Sequence, residues 1–320
     1  MRKNDSRAKT PDADFIRDFE TIGPAALARK LGVTKRNVFA RRTTLENGYG
    51  RQIASPDKTL RGTRHAEEHA RVLQYRVDNG VVLVGGDAHI WPGKPSTAMR
   101  AFAKFAKELT PSLVVMNGDL LDLAAISRHP PLNHNSLPTV QEEIETAQEQ
   151  LHKIELATPR SCKLIWPIGN HDQRLEVRLA TVAPEFAKLN GHSLKDHFPA
   201  WNACYRCDIN DDVVVKHSYS GGAHAPHNNA LKSGKTMITN HLHSQKVTPY
   251  TDYTGTRYGV DTGCLADPVH EAFSYTEMNP LNWRSGFCVL TFNNGILLPP
   301  ELVTVWDDSS VVFRGEIIKA

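Results

Sequence analysis

The sequence predicts an α/β protein in which two sheets pack face to face with helices outside, preceded by a small all-α module. Three observations predict it. Short, wholly apolar runs at residues 81–84, 113–116 and 164–168 alternate with segments of helical periodicity, as parallel strands buried on both faces do. The second half of the chain is richer in short strand-like runs separated by turns. The first 47 residues carry helix signals only, interrupted at Gly23-Pro24 and at Gly32.

Residues 1–12 are charged and without periodicity and are expected to form a flexible arm. Phe15, Ile16 and Phe19 then share one helical face, and a second helix from Pro24 places Leu27, Ala28 and Leu31 inward before Gly32 ends it. Thr34 caps a third helix, expected to run to about residue 44, which buries Val38 and presents Lys35, Arg36, Asn37, Arg41 and Arg42 on the other side. With small Ala28 in one helix, Gly32 at the turn and Val38 in the next, residues 13–47 resemble a helix-turn-helix. That resemblance implies DNA contact through those five polar side chains, and such modules often bind as homodimers. A helical hairpin used only for packing is the alternative. Residues 48–70 read as a linker rich in Gly, Arg, Ser, Pro and Thr, and the main domain is set at 71–320.

Within that domain residues 71–77 alternate in polarity, and Asp78-Asn79-Gly80 predicts a hairpin turn into the 81–84 strand. Helices are expected at 97–109, 139–157 and 172–182, and strands at 213–217, 237–240, 258–261, 287–292 and 302–306.

The net charge of +3 conceals an asymmetry: residues 1–75 hold 16 Lys and Arg against 9 Asp and Glu, the remainder 22 against 26. The basic first quarter points to an anionic partner. No apolar stretch approaches a membrane span and the start does not read as a secretory signal, so a soluble, cytoplasmic protein without membrane attachment is expected. Five scattered cysteines give no disulfide framework; Cys204 and Cys207 have CxxC spacing but no second pair to complete a zinc site.

The chemistry lies in five ordered clusters: Asp87-Ala88-His89, Gly118-Asp119-Leu120-Leu121-Asp122, Gly169-Asn170-His171-Asp172, His217, and Asn240-His241-Leu242-His243. Each of the first three follows an apolar run, so each falls at the C-terminal end of a strand, where open α/β sheets build their sites. Mixed imidazole and carboxylate ligands suit two divalent metal ions, with manganese favoured over iron or zinc.

In order and residue type these clusters resemble the calcineurin-like metallophosphoesterases, over roughly residues 80–265. The resemblance implies that Asp87, His89 and His243 hold one metal and Asn170, His217 and His241 the other, with Asp119 bridging and a hydroxide between the ions attacking phosphorus in line. It further implies that His171 protonates the leaving oxygen and that Asp122 orients His171. Asn240 stands where the family pattern has Gly.

His224 and His227 after His217, and His129 and His134 after Asp122, are weaker substrate-contact candidates. Leu123-Ala124 rather than Arg-Gly follows Asp122, which argues against the protein Ser/Thr phosphatases. The leading expectation is a DNA-directed phosphodiesterase or nuclease. A small-molecule phosphatase or nucleotide phosphodiesterase whose N-terminal helices serve assembly is the alternative, and a DNA-binding regulator with a sensing phosphoesterase domain is the second.

Overall fold

The computed structural model describes residues 10–50, 53, 69–128, 137–186, 189–276 and 281–320, which form parts of two compact units, 1–69 and 70–320. Residues 1–9 of the expected arm, most of the expected linker, and His129 and His134 lie outside the described residues. No helix among the described residues is long and apolar enough to cross a membrane.

In the first unit α1 (Asp12–Leu31) is continuous except at Gly23, whose φ of 77° next to Pro24 breaks it into the two expected helices. Gly32, at φ 64°, closes it, and Thr34 caps α2 (Lys35–Tyr49) by accepting from Asn37 N at 3.2 Å. The α2 helix runs five residues past its expected end because Leu45 is buried and holds the polar last turns onto the core. Phe15, Phe19, Leu27, Val38, Leu45 and Ile53 form that core. Arg41 pairs with Asp12 at 2.7 Å and covers the Phe15 ring, while Arg42 pairs with Glu46 at 3.2 Å. Lys35, Arg36 and Asn37 are exposed.

The second unit begins with β1 (Leu73–Tyr75), β2 (Gly80–Gly85), α3 (Thr97–Glu108), β3 (Leu113–Met116), α4 (Val140–Ala157), β4 (Lys163–Pro167) and α5 (Arg174–Val182). It continues through β5 (Asn202–Cys204), β6 (Cys207–Ile209), β7 (Val213–Val215), α6 (Ala225–Ser233), β8 (Thr236–Thr239), β9 (Lys246–Asp252) and β10 (Gly255–Asp261). It ends with β11 (Gly286–Asn293), β12 (Ile296–Leu297), β13 (Glu301–Asp307), β14 (Ser310–Phe313) and β15 (Glu316–Lys319).

One sheet has the order β15-β14-β13-β11-β2-β3-β4-β5, with β12 beside β11, and the other β1-β6-β7-β8-β10-β9. The strands β2, β3, β4 and β5 are mutually parallel, as are β7, β8 and β10. The facing surfaces share one core that includes Val84, Val115, Ile165 and Leu290 from the first sheet and Ile209, Val215, Ile238 and Val260 from the second. The helices α3 and α4 bury Phe102, Phe105, Leu151 and Ile154 against the other face of the first sheet. On the second sheet α6 sits so close that a Cβ on Gly259 would lie 1.7 Å from Pro226 O.

The Asp78-Asn79-Gly80 turn does not close a hairpin. It passes the chain from β1 in one sheet to β2 in the other, and Asn210 fixes the crossing by bonding both Val77 N and Val77 O at 2.9 Å. Cys204 and Cys207 mark a second crossing, from β5 to β6, where both thiols are free and buried, and burial pushes Cys204 up to about 12.

Candidate metal centre

All five clusters fall where parallel strands of the two sheets end: Asp87 and His89 after β2, Asp119 and Asp122 after β3, Asn170 to Asp172 after β4, His217 after β7, and Asn240 to His243 after β8. The loops turn abruptly. Asp87, His89, Asp119, His241 and His243 have φ of 49°, 40°, 49°, 73° and 55°, a left-handed conformation that side chains with a Cβ adopt at a cost. They make up half of the ten non-glycine residues in that region among those described.

That cost is met by buried hydrogen bonds. His241 N donates to Asp87 Oδ2 at 2.6 Å, Asp87 N to Gly118 O at 2.9 Å, and His89 N to Asp119 O at 3.1 Å. The Asp172 carboxylate accepts from the N–H groups of Asp119, Leu120 and Gly169 at 2.8 to 2.9 Å, clamping the second cluster to the third. No room is left at Gly169, where a Cβ would lie 2.1 Å from Asp119 Oδ1, or at Gly118, where one would lie 2.4 Å from His217 Nδ1.

Among the described residues three groups of ligand-type atoms result, each within 4.8 Å: Asp87, His89 and His243; Asp119, His217 and His241; and His89, Asp122 and His171, the last held together by the hydrogen bonds of Asp122 and the first two left as the candidate ligand groups. Asn170 Oδ1 lies 3.3 Å from His217 Nε2, on the side of the second group. Asp119 Oδ2 is likewise 3.3 Å from His217 Nε2, and Asp87 Oδ1 is 3.5 Å from His243 Nε2.

The fit to cations is visible in atoms left without hydrogen bonds. Asp87 Oδ1, His89 Nε2 and His243 Nδ1 are buried and accept or donate no hydrogen bond among the described residues, a costly condition that a bound cation would relieve for the first two by direct ligation. The tautomers agree. His217 Nδ1 donates to Asn117 O at 2.8 Å and His89 Nδ1 to Asp122 Oδ1 at 3.1 Å, so each ring in its neutral form has its Nε2 lone pair available to a cation. Electrostatics agree too. Burial opposes charge on His217, but Asp119 and Asp87 push it up to about 10, so the site holds a proton where a cation would otherwise sit. Asp119, though fully buried, is held well below the carboxylate range by His217 and His171.

Asp122 serves two rings. Its Oδ1 lies 3.1 Å from His89 Nδ1 and 3.0 Å from His171 Nδ1, so one carboxylate positions both a ligand of the first group and the expected proton donor. Beside them Arg174 donates from Nη1 to Asp122 O at 2.5 Å and places Nη2 3.1 Å from His171 Nε2. Burial opposes charge on His171, yet Asp122 and Asp119 raise its pKa overall.

Sequence reasoning missed several supporting residues. Arg174 carried no signal beyond its place after the third cluster. Asn240, a departure from the family pattern, is a buried hub: its Nδ2 donates to Gly263 O at 2.8 Å and Thr262 Oγ1 at 2.5 Å, and its Oδ1 accepts from Asn117 Nδ2 at 2.8 Å. Phe273 and Trp283 wall the first group, with ring centroids 5.2 Å from His89 and 4.4 Å from His243 respectively. His224 and His227 stay outside both groups, at the start of α6, where the expected loop is helical and His227 faces Tyr250 at 5.6 Å.

Residues 80–250 match the family model described as calcineurin-like phosphoesterase. Among solved structures, Vps29 of Entamoeba histolytica in complex with zinc is 16% identical with a TM-score of 0.40, over 75% of this chain and 98% of that one. Vps29 of Chaetomium thermophilum is 14% identical with a TM-score of 0.40, over 75% and 97%. An archaeal phosphodiesterase is 13% identical with a TM-score of 0.37, over 70% and 99%. No curated protein matches the chain. With its five clusters gathered at the ends of two facing sheets and more than half of its length matched, this chain belongs to the calcineurin-like phosphoesterase family.

Proposed function

We propose that the protein is a two-metal phosphodiesterase acting on DNA, with the N-terminal module as its DNA-holding part. The observation that carries the reading is the pair of ligand groups, Asp87–His89–His243 and Asp119–His217–His241, with Asn170 beside the second. Divalent ions bound there, manganese favoured, would supply Lewis-acid activation of water and of the phosphoryl group.

The chain's own residues do the rest. Asp119, between His217 and His171, keeps its negative charge despite burial and so suits a position shared by two cations. His171 delivers a proton to the departing oxygen from Nε2, with Asp122 fixing the ring through Nδ1. Since Arg174 can only donate, a proton on His171 Nε2 displaces the guanidinium from it and frees a cation for a phosphoryl oxygen.

Support for DNA comes from the basic first quarter of the chain and from Lys35, Arg36 and Asn37, exposed at the start of α2. Arg41 and Arg42, engaged within the module, are the weaker contacts. Linear, nicked and single-stranded DNA should be cut by metal-stripped protein resupplied with manganese. Lys35→Ala with Arg36→Ala should weaken DNA binding across sequences and lower the salt slope by about 1 per lost phosphate contact. Hydrolysis of small phosphate esters with every DNA left intact would instead favour the small-molecule phosphatase, and DNA binding that survives Asp119→Asn without any hydrolysis the sensing regulator.

A further inference from the structure

We propose that the cavity beside the first ligand group is a nucleobase subsite that holds the nucleoside on one side of the scissile phosphate. This rests on the phosphodiesterase reading and narrows its substrate class.

The cavity encloses about 560 Å³ between the loop that leaves His89 and the segment 266–273. Such a volume accommodates a nucleotide-sized ligand. His89 and Phe273, whose rings lie 5.2 Å apart, both line it, so it borders a residue of the first ligand group. Trp91, two residues beyond His89, and His270 face each other across its wall with ring centroids 6.0 Å apart and both partly exposed.

These rings are held in place. The Ile90 strand bridge to Leu121, reinforced by Ile90 N donating to Leu120 O at 2.9 Å, anchors the backbone just before Trp91. His270 Nδ1 accepts from Ala272 N at 3.2 Å, which leaves Nε2–H as the proton-bearing nitrogen of a neutral ring. Val269 at the same wall is 89% exposed, an apolar surface that a base would cover. Lys94 on the lining is exposed and has no ion-pair partner among the described residues, whereas Arg100 is tied to the carbonyls of Pro95 and Asp308 at 2.7 Å. An aromatic wall, an imidazole donor and Lys94, a cation without an ion-pair partner among the described residues, in a cavity that His89 also lines match a base attached to a phosphate. A plain alkyl phosphate would use none of the first two.

The test compares two diesters with the same leaving group, thymidine 5′-(p-nitrophenyl) phosphate and methyl p-nitrophenyl phosphate, hydrolysed by manganese-loaded protein. Base stacking on an aromatic side chain is worth about 1 to 3 kcal/mol, or roughly 5- to 150-fold. The wild type should prefer the thymidine ester in kcat/KM, Trp91→Ala should lower that preference about tenfold, and Trp91→Phe should restore most of it. Calorimetric binding of thymidine 5′-monophosphate should weaken in the same order. A preference that survives Trp91→Ala, with monophosphate binding unchanged, overturns the subsite. If the wild type hydrolyses neither ester, the diesterase reading fails first and binding of the monophosphate alone decides the subsite. Oligothymidylate competing more tightly than the monophosphate, with the difference lost in Trp91→Ala, identifies nucleic acid as the source of the base; equal competition identifies free nucleotides.

Discussion

Replacing Asp122 by Asn isolates the most consequential feature of the site, one carboxylate oxygen shared by two histidines. Asp122 Oδ1 lies 3.1 Å from His89 Nδ1 and 3.0 Å from His171 Nδ1, and the group is almost fully buried. A hydrogen bond to a charged group contributes about 1.5 to 3 kcal/mol, and removing the support of a ligating histidine typically costs 10- to 100-fold. If each bond is worth about one factor of ten, Asp122→Asn should lower kcat/KM for a p-nitrophenyl diester about 100-fold. The decisive comparison is made in a His171→Ala background. Were Asp122 to act through His171 alone, adding Asp122→Asn would change nothing further. Because it also holds His89, the double variant should lose about another tenfold in rate at limiting manganese, and its manganese dissociation constant should rise. A double variant that matches His171→Ala in both would refute the shared role.

Other substitutions probe the supporting structure. Glu143, buried beneath this loop, bonds Leu123 N at 2.7 Å, and burial lifts it from an ordinary 4.5 to about 7. The folded state therefore holds a proton that the unfolded chain has lost between those pH values, so its contribution to stability is fully present below about 4.5 and fades as pH rises to about 7. The slope is worth at most about 3 kcal/mol. Glu143→Gln should flatten it in urea titrations of metal-free protein, and an unchanged slope would exclude Glu143 as its source. Gly169→Ala, which would set a Cβ 2.1 Å from Asp119 Oδ1, should cost about 1 to 3 kcal/mol by overpacking and weaken metal binding; a wild-type midpoint would contradict the tight approach. Asn240→Gly restores the family's residue but removes the bonds to the Asn117 amide and to Gly263 O, leaving that amide only Lys216 O at 3.2 Å, and should lower stability by about 1 to 3 kcal/mol.

Much of this architecture was legible because period and position coincide. The three apolar runs became β2, β3 and β4, all parallel, and their polar ends converge. The helices α3 and α4 begin where Ser96 and Thr139 cap them, and Thr139 with Glu142 forms a full capping box. Less legible were β5, β6 and β12, strands of two or three residues, too short to show any period. The β1–β2 turn misled for a related reason: local turn chemistry does not say whether the next strand rejoins the same sheet, a matter decided by Asn210 far along the chain. At the site, which side chains gather at the strand ends was readable from residue type and order, whereas Arg174, Phe273, Trp283 and the Asn240 hub owe their places to tertiary contacts. Arg41 and Arg42 looked like free cations on a helix face until packing drew them onto Asp12 and Glu46.

The central claim is that the two ligand groups hold two divalent ions that diester hydrolysis requires. Stripped protein should be titrated with manganese while bound metal and hydrolysis of bis-p-nitrophenyl phosphate are followed together. Activity absent at the start, rising to a plateau at about two equivalents per chain, and lost in Asp119→Asn is the predicted result. Full hydrolysis by the stripped protein, or saturation at two equivalents with no hydrolysis of any phosphate ester, would contradict it.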